Sequence, residues 1–121
     1  MELTAPENYW KMPRNALMKC VNGCGPDGWK NIIPQHLTGG ASIVECCYIH
    51  DWQYQFGINR KEADVLFRKN IQSVSRSSGS NWFFKKLHFV QSWIYYRSVR
   101  RGGKFAWVGG NDNSKLQTKR V

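Results

Sequence analysis

A chain of 121 residues with 41% hydrophobic content can bury one core of ordinary size and is too short for two, so a single domain over 1–121 is expected. Eighteen Lys and Arg against eight Asp and Glu give a formal charge of +10, which favours anionic partners such as acidic lipid headgroups or nucleic acid and disfavours basic ones. No apolar run reaches the roughly 20 residues of a membrane-spanning helix, and Met1 to Asn8 lacks the basic-then-apolar pattern of a secretory leader, so a soluble chain is expected.

Residues 1–15 hold Pro6 and Pro13 and no sustained period; they read as an irregular arm with a short helix over Asn15 to Cys20. From Asn22 to Trp29, three glycines, Pro26 and Asp27 exclude helix and strand and give a tight loop whose carbonyls can turn toward one point. Pro34 and Gly39-Gly40 carry the irregular path to a helix start near Ser42, where Ser42 and Glu45 match a capping box; that helix runs to about Phe56 and stops at Gly57. On it Cys46, His50 and Tyr54 recur at i, i+4 and i+8, with Cys47 and Asp51 on the adjoining stripe, so one helix offers a base, a carboxylate and a phenol to one cleft.

Asn59 opens a second helix whose stripe of Ala63, Leu66, Phe67, Asn70, Ile71 and Val74 has helical spacing; Ser75 to Ser80 break it. A third long helix, about Asn81 to Arg100, places Phe83, Leu87, Val90 and Ile94 on its apolar side and Lys85, Lys86, Arg97 and Arg100 largely elsewhere, until Gly102-Gly103 end it. Phe105 to Val108 can pack back onto the body, and the polar, basic stretch 109–121 reads as a flexible tail. His36 and His88 have no partner pattern and read as structural.

A Gly-rich Cys-Gly loop, then Cys46-Cys47-Tyr48-Ile49-His50-Asp51 on a helix, Tyr54 four residues past the His, and Asp64 on the next long helix together resemble the phospholipase A2 superfamily over about residues 23–74. The likeness is closer to its small microbial and viral-type members. It implies an all-α, disulfide-linked fold: two long antiparallel helices carrying the His/Asp site, a Gly-rich calcium loop and a further C-terminal helix. It also implies calcium-dependent hydrolysis of the sn-2 acyl ester of glycerophospholipids at a membrane surface, preferably an anionic one.

By the resemblance, His50 is the base that takes a proton from water, Asp64 orients its imidazole, Tyr54 braces Asp64, and the Gly25 N–H donates to the oxyanion. Asp51 is the calcium carboxylate, joined by carbonyls of Gly23, Gly25 and Asp27, an oxygen donor set that suits this hard cation. The family usually has Gly where Asp27 stands, so Asp27 either adds a donor or distorts the loop. The resemblance further implies a Cys24–Cys47 bridge, leaving Cys46 for Cys20, while Gln53 and Ala63 stand where family members commonly carry a bridged pair.

Other readings stay open at this level. Four cysteines, an even set, suit two disulfides and an oxidising compartment, hence export or action at a membrane surface, although no leader pattern is visible. Adjacent Cys46 and Cys47 fit poorly into a tetrahedral zinc site with Cys20 and Cys24. Trp10, Lys11, Met12, Arg14, Trp29, Lys30, Ile32 and Ile33 form either a membrane-facing rim or core under the loop. A catalytically silent member of the same fold, binding membranes or a partner, is one rival; a nucleic-acid-binding module is the other, but the chain has no recognised nucleic-acid motif and no specific nucleic acid is expected.

Overall fold

The computed structural model describes residues 1–21 and 34–121. In chain order it contains strand β1 (Glu2–Pro6), helices α1 (Glu7–Lys11), α2 (Arg14–Cys20), α3 (Val44–Phe56), α4 (Arg60–Ser77) and α5 (Trp82–Gly102), a 3-10 turn at Gly103–Phe105, and strand β2 (Leu116–Arg120). Helix α4 is central, packing against α3, α5 and β1.

Local chemistry accounts for the long helices. Asn59 and Asn81 cap α4 and α5, their side-chain oxygens accepting from the N–H groups of Glu62 and Phe84 at 3.1 and 3.0 Å. The α4 stripe expected from periodicity is the buried one: Ala63, Leu66, Phe67, Asn70, Ile71 and Val74 all lie inside, with Asp64 beside them. Helix α3 buries much of its circumference, including Cys46, Cys47, Ile49, His50, Trp52, Gln53 and Tyr54. It begins at Val44, and the expected Ser42/Glu45 box does not close. Instead the Glu45 carboxylate accepts both Arg14 guanidinium nitrogens, at 3.0 and 3.1 Å, and the Tyr9 hydroxyl. A forked, charge-assisted pair outcompetes a single backbone amide for that carboxylate.

The fold is mixed, not all-α. β1 and β2 pair antiparallel from Glu2↔Arg120 to Pro6↔Leu116, so 1–15 is not an irregular arm and 109–121 is not a frayed tail. Leu3 and Ala5 of β1 are buried, and the Asn70 side chain clamps Thr4, accepting from its N–H and donating to its C=O, both at 2.9 Å. One edge of β1 is thereby fixed to α4 and the other takes β2. Every β2 side chain is exposed, so no apolar alternation signals that strand in the sequence.

Among the described residues no two cysteines are bridged, which overturns the twofold disulfide-linked description. Cys20 and Cys46 are free thiols, and Cys46 is fully buried, serving as a small apolar core side chain whose thiol burial pushes far above its ordinary value. Cys47 is disulfide-bonded. Cys24, the partner that the resemblance implies for it, lies outside the described residues.

Helix α5 is also turned relative to expectation. His88, Ser92, Tyr95 and Val99 face inward, whereas Phe83, Val90 and Ile94 are exposed. Polar partners decide this orientation: His88 Nδ1 meets the Ser75 hydroxyl at 2.8 Å and Nε2 meets the Thr38 carbonyl at 2.6 Å, while Ser92 accepts from the Gln72 side-chain nitrogen at 3.2 Å. The structural reading of His88 stands. Among the described residues no helix is long and apolar enough to cross a membrane.

Candidate active site

Antiparallel packing of α3 on α4 brings His50 and Asp64 together although 14 residues separate them. Asp64 is completely buried, and each of its oxygens is engaged. Oδ1 lies 2.7 Å from His50 Nε2 and accepts the Tyr54 hydroxyl at 2.6 Å. Oδ2 accepts Arg100 Nη1 at 2.8 Å, with Arg60 Nη1 at 3.7 Å. The Tyr54 and Phe67 rings flank the imidazole at centroid distances of 4.3 and 4.7 Å, and His50 is only 7% exposed.

These contacts fix protonation states. Burial raises the Asp64 carboxyl, but the hydrogen bonds and charge of His50, then Tyr54 and Arg100, more than offset it, and Asp64 ionises below its ordinary 3.8. Burial, reinforced by the bond to Asp64, drives the Tyr54 phenol far above its usual value, so it remains a donor. An ionised Asp64 holds the proton of His50 on Nε2 and leaves Nδ1 as the basic nitrogen, the arrangement of an oriented general base.

The sequence nominated His50, Asp64 and Tyr54, and the structure joins all three. Asp64 pairs with Arg60 as well, so the local i, i+4 ion pair and the His50 contact coexist. Arg100 was missed: it reaches Asp64 from α5, 36 residues away, and no local pattern announces such a contact. Asp51 follows His50 on α3 and is half-buried. Gly23, Cys24, Gly25 and Asp27 lie outside the described residues, as do Trp29, Lys30, Ile32 and Ile33 of the suggested rim.

Among the described residues no three His, Cys, Asp or Glu side chains converge as a metal site. The zinc reading is disfavoured because Cys46 is held as a buried thiol and Cys47 is bridged. Asp51 supplies a hard oxygen donor, the chemistry that calcium requires and that backbone carbonyls complete. A cavity of about 610 Å³ opens elsewhere, lined in part by Gln53, Ile58, Leu66, Lys69, Asp112 and Leu116, and includes neither His50 nor Asp64.

Tyr54 is also held from behind. A Cβ added at Gly103 would land on its hydroxyl, because the turn after α5 passes directly over the ring. Gly103→Ala is therefore expected to displace the Tyr54–Asp64 bond and lower stability by about 1–3 kcal/mol, the range for overpacking. Thermal unfolding of the single variants and of Gly103→Ala/Tyr54→Phe checks this: the glycine substitution should cost less once the hydroxyl is gone, and equal costs in both backgrounds would refute the contact. Comparison with family models, with curated proteins and with solved structures finds no match.

Proposed function

We propose that this protein hydrolyses the sn-2 acyl ester of glycerophospholipids with calcium, using a His50-activated water. The observation that carries the reading is the 2.7 Å contact between His50 Nε2 and a fully buried Asp64, with a second carboxylate, Asp51, one residue beyond the base. His50 Nδ1 takes the proton of a water whose oxygen attacks the ester carbonyl. Asp64 keeps the imidazole in the productive tautomer and balances the imidazolium that forms, and Tyr54 and Arg100 keep Asp64 ionised and in place. The proton then passes from His50 to the departing alkoxide, giving a lysophospholipid and a fatty acid. Asp51, with carbonyls of Gly23, Gly25 and Asp27, would hold the calcium, which when bound would supply positive charge at the ester carbonyl, and the Gly25 N–H would donate to the oxyanion.

The test is fatty acid release from phospholipid vesicles with calcium as the sole variable. Release should require calcium, and Asp51→Asn should abolish both calcium binding by calorimetry and release. Hydrolysis that survives chelation, or that Asp51→Asn leaves intact, would overturn the assignment. Vesicle binding without release at any calcium level favours the silent member of this fold, and salt-dependent oligonucleotide binding without release favours a nucleic-acid module.

A further inference from the structure

Helix α5 hides a largely polar stripe and shows water its apolar residues. Trp82, Phe83, Phe89, Val90, Trp93 and Ile94 each leave 40% to 70% of their surface exposed, whereas His88, Ser92, Tyr95 and Val99 are inside. At 3.6 residues per turn, Phe83, Val90, Trp93 and Ile94 fall opposite the buried stripe, with Trp82 and Phe89 flanking them. Exposed large apolar side chains scattered singly need no explanation; six on one helix do.

Cations share this face. Lys86, Arg97 and Arg101 are exposed among the rings, Lys85 lies at its flank, and α5 contains no Asp or Glu. Lys86 sits 5.0 Å over the Trp82 ring, and Arg68 of α4 sits 4.1 Å over Trp93, so the aromatic surface is itself fringed with positive charge. A second copy of the chain would set cations against cations, and a neutral apolar partner would leave them unpaired. An anionic lipid surface accommodates both features: rings and aliphatic groups enter the boundary between headgroups and acyl chains while Lys and Arg meet the phosphates. With 21 residues, α5 offers a docking edge about 30 Å long.

We propose that the outer face of α5 is a docking surface for anionic phospholipid membranes, lying flat at the interface. The choice of lipid over other polyanions rests on the hydrolase reading; the face itself does not include His50. Of the suggested rim, the described Trp10 is only half-exposed.

Sedimentation with mixed phosphatidylcholine and phosphatidylglycerol vesicles tests the proposal on the full chain. Phe83→Ser/Val90→Ser/Ile94→Ser should weaken binding by at least about tenfold. Lys86→Gln/Arg97→Gln/Arg101→Gln should weaken it by about 100-fold, and wild-type binding should fall with added salt. Trp93 and Arg100 are left in place because they contact Arg68 and Asp64, and circular dichroism verifies that both variants fold. If the folded apolar variant binds as tightly as wild type, the face is not a lipid-docking surface. A wild-type dimer that the apolar variant dissolves assigns the face to a second copy and overturns the proposal, as does DNA that the apolar variant still binds and the basic variant loses, tighter than vesicles. If vesicle binding behaves as expected but wild type releases no fatty acid from vesicles or from monodisperse short-chain phospholipid, the docking face stands and the hydrolase reading falls.

Discussion

His50→Gln is expected to lower phospholipid hydrolysis by about 10²-fold or more while leaving the fold and calcium binding in place. The glutamine side chain can still offer an N–H to Asp64 Oδ1, where His50 Nε2 sits at 2.7 Å, so the buried carboxylate keeps a partner there. What it lacks is a basic nitrogen at the position of Nδ1, and water then has nowhere to leave its proton. Asp51 is unchanged, so calorimetry should find calcium bound as before. Turnover in a clean preparation at the wild-type rate would remove His50 from the chemistry and hand the molecule to the silent-binder reading.

Asp64→Ala should be the most damaging single change to stability. Four groups converge on that carboxylate, and two of them, the Tyr54 hydroxyl and His50, are buried and would lose a partner at once. Arg60 and Arg100 are partly exposed, so water recovers some of their loss. Removing one member of such a buried charged cluster costs about 3 kcal/mol, or roughly 10 °C in Tm for a domain of this size. The same carboxylate makes the protein acid-sensitive. Its folded pKa is depressed below 3.8, so as pH falls through the ordinary range the unfolded chain takes up a proton that the folded chain refuses. The stabilisation is complete above the ordinary value and is lost as pH drops toward the folded one. Denaturant melts of wild type and Asp64→Asn between neutral and acid pH check this: the gap between them should close on acidification, and a constant gap would contradict it.

Where the sequence was legible, local physics decides the structure. The α4 stripe repeats at helical spacing and its neighbours are polar, so only one face can go inside. The His50, Tyr54 and Asp64 constellation was readable because the resemblance supplied a register between two helices, which periodicity alone does not give. Helix α5 was misread because apolar and basic residues alternate around it, and its inward side is chosen by hydrogen bonds from His88 and Ser92 to distant partners. β1 and β2 were missed for a related reason: the alternation of β1 is confined to Leu3 and Ala5, too short to stand out before Pro6, and β2 has no buried side chain, so it writes no period-two pattern. Arg100 belongs with these, a contact made by topology and invisible to any window of neighbouring residues.

The pairing of β1 with β2 has a topological meaning. With Glu2 opposite Arg120, and the Val121 N–H donating to the Met1 carbonyl at 2.7 Å, the ladder holds residues 1 and 121 side by side. Joining residues 121 and 1 through a short linker would remove little freedom the fold uses, and opening the chain at the exposed Ser78–Gly79 turn between α4 and α5 would leave the described helices and the ladder intact. Order along the chain and order in space are thus decoupled here: a circularly permuted sequence starting at α5 would describe the same molecule, with its candidate base and the carboxylate that orients it exchanging none of their neighbours.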